Sequence, residues 1–275
     1  MKICMNLMGG YGNILFQFMF GYSMARKNKA LLSFICNEKK RQHATKYKFI
    51  DGFDINNLIN YDYIRINEKN HYYDEYIFDP SINYIINGYY QSYKYSKQYF
   101  SEIKQLIFGN LSDKIDKIES IYKSIKKENK ITITLHIRRT DYIDYPDIHY
   151  VVRTDEWYEK AIKLLLNKLN LEKDDIKLIL FSDDIQYLEN MNITKEYNHI
   201  IAEKYNLDTE EIFLLMSYSD HFIIPNSTYS LLAYYFRKNN DANIVIPNKW
   251  FGEKGPLHKI DDIIEVTENV IIQNV

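Results

Sequence analysis

A histidine, two arginines and an aspartate stand close together in the middle of the chain, as His136, Arg138, Arg139 and Asp141. The alternating β-branched residues just before them, at positions 131–135, predict a buried strand. Because open α/β sheets bind ligands at the carboxyl ends of their strands, these side chains indicate an anion site. Neighbouring side chains of an extended chain point in opposite directions, so one arginine can bind a phosphate while the other pairs with Asp141 or the surrounding domain. The alternative is that both arginines pair with carboxylates at the edge of the sheet.

A second candidate site is the glycine-rich turn after the first predicted strand, residues 2–7. Gly10 and Gly12 allow a tight turn and let a ligand approach the amide groups at the start of the next helix, whose dipole favours negative charge. The turn lacks the third glycine of the dinucleotide-binding fingerprint, because Leu15 stands at that position.

The helix after this turn, predicted over residues 13–27, carries Asn13, Gln17 and Gly21 at intervals of four residues. That spacing puts the three residues on one face, so we expect a polar ridge that points into a cleft. Alternatively, Asn13 is an ordinary helix cap and Gln17 is a solvated side chain.

Two further polar groups follow predicted strands in the second half of the chain. Asp183 and Asp184 form a carboxylate pair that can bind ribose hydroxyls or the amino group of a base, or can cap the next helix. Asn226, Ser227 and Thr228 also precede a predicted helix. There they would offer free amides and two hydroxyl groups to a diphosphate.

The order of the predicted elements indicates an α/β fold. The second half repeats strand-helix units, which predicts a mostly parallel sheet, and its last strand is expected at residues 243–246. Residues 50–54 belong to a region that reads as polar and irregular. An amphipathic helix rich in lysine and glutamate is predicted over residues 113–130. We expect the domain boundary near its end, which gives domains 1–128 and 129–275.

A tyrosine-rich segment surrounds Gly88, which is expected to end a short strand and to leave Tyr89, Tyr90 and Gln91 in a loop. The sequence contains 26 tyrosines, and tyrosine suits sugar-facing surfaces because its ring stacks on C–H groups while its hydroxyl forms hydrogen bonds. The loop therefore either binds a sugar or packs two domains together.

The composition limits the classes of partner. A net charge of −2 and a pI near 6.4 argue against a general nucleic-acid binder. Cys4 and Cys36 lie in apolar segments without a metal or redox spacing, which is typical of buried thiols in a reducing compartment. Neither a secretory signal nor an apolar window of roughly 18 residues is present. We therefore expect a soluble or at most peripheral protein.

Six motifs occur in the order found in α-1,2-fucosyltransferases, and the chain resembles this family, glycosyltransferase family 11, from residue 2 to about residue 252. The motifs are GGYGNILFQ from Gly9, GYYQS from Gly88, HIRRTDY from His136, FSDD from Phe181, HFIIPNSTYS from His221 and PNKWF from Pro247. The His-x-Arg-Arg-x-Asp motif is shared with α-1,6- and peptide O-fucosyltransferases, so it indicates the donor rather than the linkage. The glycine turn with its asparagine and the Asn-Ser-Thr segment are more particular to family 11.

The resemblance implies a GT-B architecture, in which two Rossmann-like domains face each other across a cleft. The C-terminal domain would hold GDP-fucose, and the N-terminal domain would face the acceptor. Arg138 would bind the β-phosphate, His136 would lie against the nucleotide, and Asn13 would line the cleft as a further catalytic residue. The remaining donor contacts are expected from Gly10, Gly12, Arg139, Asp183, Asp184, Asn226, Ser227 and Thr228.

The family's chemistry would be an inverting displacement, because the donor carries fucose in β linkage and the product is α. Such a step needs a general base on the acceptor hydroxyl. Asp141 is the first candidate, although it can instead orient Arg138 or Arg139, and Asp144 and Asp147 are further candidates as base or acceptor contacts. The sequence contains no Asp-x-Asp motif. This favours metal-free chemistry without a cofactor, in which arginine takes the role of the cation.

The implied acceptor is a galactose-terminated or related oligosaccharide, free or lipid-linked, in bacterial O-antigen synthesis. The protein would act in the cytoplasm and be at most peripheral at the inner face of the membrane. Departures from the family pattern leave the acceptor open: Ile14 replaces a glutamine, and Leu231-Leu232 and Tyr234-Tyr235 replace tryptophans. The alternatives are fucosyl transfer in another linkage, an inactive subunit that binds a GDP-sugar, and a nucleotide-dependent oxidoreductase, against which the missing third glycine argues.

Overall fold

The computed structural model describes residues 1–36, 47–55, 62–126, 130–148 and 154–274. They form two compact units, unit 1 with Met1–Asp113 and Leu257–Glu265, and unit 2 with Lys114–Pro256 and Val266–Val275. Each unit has its own sheet, all of whose described strand pairs are parallel. The predicted α/β class is thereby confirmed.

The division between the units differs from the predicted boundary at residues 128 and 129. The amphipathic helix, Ser112–Ile125, belongs almost entirely to unit 2. Its Lys114 ammonium lies 2.8 Å from a carboxylate oxygen of the buried Glu210 and also pairs with Asp208. The unit boundary therefore lies at the start of this helix rather than at its end.

The segment Leu257–Glu265 returns to unit 1 and is held there by two ion pairs. Lys94 lies 2.5 Å from a carboxylate oxygen of the buried Asp262, and Lys97 lies 2.6 Å from one of Glu265. A division of the sequence into two contiguous pieces could not anticipate this return.

Five strands form the sheet of unit 1 within the described residues, in the order β3-β2-β1-β5-β4. They are β1 Lys2–Leu7, β2 Leu31–Cys36, β3 Asp54–Ile55, β4 Tyr63–Asn67 and β5 Asn83–Asn87. The prediction of an irregular region over residues 50–54 was wrong at its end, where Asp54 begins the two-residue strand β3, and β4 was not predicted. The strand order reverses between β1 and β5.

Helix α1, Tyr11–Asn28, covers this sheet, and α2, Phe100–Asn110, packs against α1. Most of α1 is buried, as expected of a helix that is apolar on nearly all sides. Gly21 brings it close to the sheet, since a Cβ at that position would lie 3.4 Å from the Met5 Cβ. The first turn of α1 is thereby fixed above the end of β1.

Six strands form the sheet of unit 2 within the described residues, in the order β11-β10-β9-β6-β7-β8. They are β6 Ile131–Ile137, β7 Ile176–Ser182, β8 His199–Ile201, β9 His221–Ile223, β10 Ile244–Pro247 and β11 Val270–Gln273. This is the order of a doubly wound nucleotide-binding sheet, with its reversal between β6 and β9. The prediction that the strand near residue 246 is the last was wrong, because β11 pairs with β10 beyond it.

The helices of unit 2 alternate with its strands. They are α3 Ser112–Ile125, α4 Thr140–Asp144, α5 Asp155–Leu169, α6 Ile185–Asn190, α7 Ile193–Glu196, α8 Thr209–Ser217 and α9 Thr228–Tyr235. A last helix, α10 Ile260–Ile263, belongs to the segment that returns to unit 1. Strand β6 lies at the centre of the core, between β7 and β9, so its carboxyl end is fixed on both sides.

Two smaller expectations concern the cysteines and the membrane. Cys4 and Cys36 are both buried free thiols, as predicted. Across the described ranges, no helix is both long enough and apolar enough to cross a bilayer.

Candidate active site

The main candidate site of unit 2 lies where the strand order reverses. Strands β6 and β9 are neighbours, with Leu135 opposite Ile223, and ligands of doubly wound sheets bind at the carboxyl ends of such a strand pair. The arginine motif follows β6, and Asn226 follows β9. The Tyr142 hydroxyl donates a hydrogen bond of 2.9 Å to the Asn226 carbonyl oxygen. The structure thus brings the two predicted segments together.

Arg138 is held between two carboxylates. Its Nη2 lies 2.6 Å from Asp141 Oδ1, and its Nη1 lies 2.8 Å from Asp183 Oδ2. One third of its side chain remains exposed, so an anion from solution can reach it. The guanidinium is therefore oriented before any ligand binds.

The contacts of Arg139 are with other residues of unit 2. Its guanidinium carbon lies 3.5 Å from the centroid of the Tyr187 ring, and its Nε donates to Asp184 at 3.2 Å. Both arginines therefore pair with carboxylates, which is the alternative that the sequence left open. They differ in exposure, because 33% of the Arg138 side chain is exposed but only 18% of the Arg139 side chain. Contacts of either arginine with a donor stay predictions.

The two aspartates after β7 serve the same loops. Asp183 accepts a hydrogen bond of 2.9 Å from the Arg139 amide and another from the Thr140 hydroxyl. Asp184 caps α6 by accepting from the Tyr187 amide at 3.0 Å. The predicted capping alternative is thereby confirmed, while contacts of either carboxylate with a ribose or a base stay predictions.

His136 lies beneath this charged group as a neutral imidazole. It is almost fully buried, and its Nδ1 lies 2.8 Å from the Ser230 hydroxyl. Burial, together with a smaller contribution from the positive charge of Arg138, lowers the pKa of His136 to about 3. His136 therefore carries no positive charge at neutral pH, and its contact with a nucleotide stays a prediction.

The segment after β9 leads directly into α9. Asn226 is buried and its Nδ2 donates 2.7 Å to the Trp250 carbonyl, whereas its Oδ1 finds no hydrogen-bond partner among the described residues. Ser227 is the N-cap residue, but within the described part of the chain its side chain does not bond the helix amides. These amides and the first residue of α9, Thr228, therefore stay candidates for an anion.

The turn after β1 requires glycine at one position. Gly9 has a φ of +85°, which L side chains rarely adopt, whereas Gly10 is the N-cap of α1 with a φ of −81°. Gly12 is buried in the first turn of the helix. The predicted tight turn is confirmed, and the ligand contacts of Gly10 and Gly12 stay predictions.

The predicted polar ridge on α1 was wrong. Gln17 is fully buried, and its side chain closes the glycine turn by accepting from the Met8 amide at 2.9 Å and donating to the Met8 carbonyl at 3.2 Å. Gly21 faces the sheet. Because backbone polar groups shielded from water need partners, and Gln17 supplies them for the partly buried Met8, Gln17 is a structural residue.

Asn13 is joined to the loop after β5, at the strand reversal of unit 1. Gln91 Nε2 donates 2.8 Å to Asn13 Oδ1. Tyr90, in the same loop, has no exposed surface, and its ring lies 3.8 Å from that of Phe20 in a stacked arrangement. The loop was expected either to bind a sugar or to pack two domains together. Tyr90 does neither, because its side chain lies in the core of unit 1.

Sequence reasoning missed Glu68, which organises that loop. Its carboxylate accepts from the Tyr89 amide at 2.7 Å and from the Tyr90 amide at 2.9 Å. Gly88, with a φ of +149°, leaves room for it, since a Cβ there would lie 2.3 Å from the Glu68 Cβ. Burial raises the pKa of Glu68. The sequence signal that could have identified Glu68 is its position directly after a strand. It was missed because β4 itself was not predicted.

The other carboxylates differ in their availability as a general base. Asp141 is engaged by Arg138, and Asp144 is exposed at the end of α4. Asp147 pairs with Lys254 at 2.7 Å, which holds the pKa of Asp147 below its usual range. In the described parts of the chain, no group of three His, Cys, Asp or Glu side chains could hold a metal ion.

Comparison with known proteins gives the context for this geometry. The family model described as Glycosyl transferase family 11 matches residues 3–261. The Escherichia coli O-antigen biosynthesis glycosyltransferase WbnK is 36% identical over 135 residues, which are 48% of this chain and 43% of that protein. An Escherichia coli alpha-1,2-colitosyltransferase is 28% identical over 184 residues, 63% of this chain and 58% of its own. The chain thus aligns with about half the length of these relatives.

Solved structures share the fold at low sequence identity. The NodZ alpha-1,6-fucosyltransferase, co-crystallized with GDP, superposes with a TM-score of 0.54 at 14% identity, over 86% of this chain and 92% of that one. NodZ from Bradyrhizobium gives the same score. A mutant of Arabidopsis thaliana FUT1 in complex with GDP also scores 0.54, at 10% identity, over 88% of this chain and 69% of that one. The two Rossmann-like units are therefore of the predicted GT-B type.

Proposed function

This chain belongs to glycosyl transferase family 11, and we propose that it transfers L-fucose from GDP-fucose to the 2-hydroxyl of a galactose or related residue of a glycan. The observation that carries the proposal is Arg138, a solvent-accessible arginine oriented at the strand reversal of the doubly wound sheet of unit 2. The reaction inverts the anomeric centre and needs no metal ion.

The donor is proposed from the charge of this site. A guanidinium can bind two phosphate oxygens at once, and Arg138 already makes two such contacts with carboxylates. The β-phosphate of GDP-fucose would replace at least one of them. Because the departing GDP gains negative charge in the transition state, Arg138 and the amides at the start of α9 stabilise that state more than the ground state. That NodZ and FUT1 were crystallised with GDP supports this nucleotide.

The acceptor is assigned to unit 1, with Asn13 as the contact to its hydroxyl groups. The hydrogen bond to Gln91 fixes the direction of the Asn13 side chain, whose amide group is a donor of the kind that a sugar oxygen accepts from. For Asp141 we propose the orienting role on Arg138, because the two are 2.6 Å apart. Asp141 can then act as the general base only if donor binding breaks its ion pair with Arg138.

The biological setting proposed is bacterial surface polysaccharide. The name of WbnK, an O-antigen biosynthesis glycosyltransferase, supports this setting. The acceptor is an oligosaccharide, either free or lipid-linked, and the protein would act in the cytoplasm or at the inner face of the membrane.

A second donor has a specific observation in its favour, the likeness to an alpha-1,2-colitosyltransferase. Colitose is the 3-deoxy analogue of L-fucose, so the two GDP-sugars present the same diphosphate to Arg138. Discrimination between them depends on whether a polar group contacts the 3-hydroxyl of fucose, since a hydrogen-bonding site rejects an analogue that lacks its partner.

The test is release of the nucleoside diphosphate in the presence of EDTA, with GDP-fucose, GDP-colitose, GDP-mannose and UDP-galactose as donors and a panel of galactose-terminated acceptors. Acceptor-dependent release from GDP-fucose supports the proposal, and product analysis then gives the linkage. Release from GDP-colitose instead favours the second donor. Binding of GDP-fucose without release from any pair indicates an inactive binding subunit, and a strict requirement for a divalent ion contradicts metal-free transfer.

A further inference from the structure

A small pocket lies in unit 1 at the far end of α1 from the glycine turn. The end of α1 forms one wall, and the segments 73–76 and 94–99 form the others. Its volume is about 90 Å³. That is several times the roughly 10–15 Å³ that a water molecule needs, but well below the roughly 300–1,000 Å³ that encloses a drug-sized ligand. The pocket therefore suits one unit of a longer molecule.

The chemistry of the pocket walls is that of a carbohydrate site. Four tyrosines line it together with polar side chains that can donate and accept hydrogen bonds; they are Tyr73, Tyr76, Tyr95 and Tyr99. Two acidic and two basic side chains also line it, so the walls carry no net charge. Aromatic faces with polar groups around them bind the C–H and O–H groups of a neutral sugar, whereas a nucleotide would require a positive excess.

The walls are joined before any ligand binds. The Tyr95 hydroxyl accepts a hydrogen bond of 2.9 Å from the Asp74 amide, which fixes one segment on the other. The Tyr73 and Tyr95 rings have centroids 5.0 Å apart. Tyr73 remains 41% exposed, and its ring is the most accessible of the four. A site whose shape is already formed loses less conformational entropy on binding.

The position of the pocket relates it to the proposed acceptor contact. At about 1.5 Å per residue, roughly 16 Å of helix axis separate Asn13 from Met24 at the pocket wall. Tyr95 of the pocket wall packs in the core against Tyr90 of the loop that carries Gln91, with ring centroids 5.8 Å apart, so the pocket and this loop are parts of one packed region of unit 1. A glycan held at Asn13 reaches the pocket only if it is several sugar units long.

We propose that this pocket is a subsite for an internal sugar of a long acceptor chain, distant from the sugar that receives the fucosyl group. The proposal rests on the proposed function for the presence of a glycan acceptor, and adds that the acceptor is a chain rather than a disaccharide. Tyr73 supplies the stacking face, and Gln98 supplies hydrogen bonds to hydroxyl groups.

Calorimetry without GDP-fucose tests the subsite directly. The probes are galactose-terminated poly-N-acetyllactosamine chains of two and six sugar units. We expect the long chain to bind about tenfold more tightly, and Tyr73→Ala or Gln98→Ala to reduce its affinity toward that of the short chain. Tyr73→Phe, which keeps the ring, should retain the affinity. Ile77→Ala is the matched control, because Ile77 is 90% exposed in the neighbouring segment and does not line the pocket. Equal affinities for both chains, or no measurable binding, overturn the subsite.

Kinetics separate this inference from the proposed function. With GDP-fucose as donor, Tyr73→Ala should raise KM for the long acceptor and leave kcat, the donor KM and the KM of the short acceptor unchanged. A rise in both acceptor KM values indicates a general structural effect and overturns the subsite. Length-dependent binding that requires Tyr73 but comes with no fucosyl transfer supports the subsite and contradicts the proposed function.

Discussion

The two strand reversals of this protein each lie beside the first strand of a parallel sheet, and they differ in chemistry. The reversal in unit 2 carries charge, since Arg138 lies between Asp141 and Asp183. The reversal in unit 1 carries amides, with Asn13 bonded to Gln91. An arginine paired with carboxylates can exchange one anion for another, whereas neutral hydrogen bonds orient a hydroxyl group without selecting charge. The carboxyl ends of two parallel sheets thus carry different chemistry, and in the proposed function the charged one meets the anionic donor and the neutral one the acceptor.

The largest effect on the transfer rate is expected at the strand reversal of unit 2, which we call the charged reversal. Arg138→Ala should lower kcat for transfer by about 10²–10³, the loss typical of removing one preorganised donor to a developing anion. Arg138→Lys should recover part of the rate, because an ammonium keeps the positive charge but lacks the paired N–H donors of the guanidinium. Steady-state kinetics of GDP release measure both variants, with circular dichroism as the test of folding.

Arg26→Ala is the matched control, because Arg26 forms an exposed ion pair with Glu102 at 3.0 Å in unit 1. It should leave turnover unchanged. If Arg138→Ala turned over as fast as this control, the charged reversal would have no role in the reaction.

At the neutral reversal, Asn13→Ala and Gln91→Ala should each raise the acceptor KM several-fold and leave the donor KM unchanged. Because the two side chains share a hydrogen bond, their effects should not add. A double-mutant cycle should give a coupling energy of about 1 kcal/mol. Asn190→Ala, which removes an exposed amide bonded to Gln186, is the control. Additive effects, or a raised donor KM, would break the assignment of this edge to the acceptor.

The protonation state of the buried His136 bears on the comparison of the two reversals. It decides whether His136 adds positive charge to the site beside Arg138. The pKa of His136 is lowered from 6.5 to about 3 by burial, so the unfolded chain takes up this proton first as the pH falls. The stability contribution is complete above pH 6.5 and is lost toward pH 3, by about 1.4 kcal/mol per pH unit for one proton.

His136→Gln should therefore weaken the decline of the unfolding free energy with acid. Denaturant unfolding at pH 7, 5.5 and about 4 measures this slope, because linkage relates it to proton uptake. An identical slope in both proteins would show that His136 is protonated in the folded state.

The smallest effect is expected at Asp184, whose contacts are structural. Asp184→Ala should cost about 1 kcal/mol of unfolding free energy through loss of the α6 cap, whereas Asp184→Asn keeps a capping oxygen and should cost less. Both variants should retain most of the transfer rate. A large loss of donor affinity in Asp184→Asn would instead support the predicted contact of this carboxylate with the nucleotide.

The sequence was most informative where a local pattern determines the outcome. The β-branched run before His136 predicted β6. The arginine motif and Asn226 were each expected after a strand, and the structure places both at the reversal of unit 2. Both arginines pair with carboxylates, one of the two outcomes that the sequence allowed, and phosphate binding by Arg138 stays a prediction. These inferences needed only the two-residue period of a strand and the rule that ligands bind at the carboxyl ends of parallel strands.

The failures have a common physical origin in tertiary context. Gln17 has the helical spacing of an exposed polar ridge, but it is fully buried and forms its hydrogen bonds with the Met8 backbone. Strand β4 alternates too weakly to be recognised, so Glu68 could not be placed beside the Tyr89 and Tyr90 amides. The return of Leu257–Glu265 to unit 1 depends on ion pairs with distant lysines. Such pairings are invisible to local periodicity.

The most direct test of the central claim is the difference between GDP and GMP binding, measured by calorimetry in EDTA for the unaltered protein and for Arg138→Ala. If Arg138 binds the β-phosphate, the unaltered protein prefers GDP by about tenfold or more, and the variant binds the two nucleotides with nearly equal affinity. If the preference for GDP persists in Arg138→Ala, another group holds the β-phosphate and the assignment of the charged reversal is contradicted.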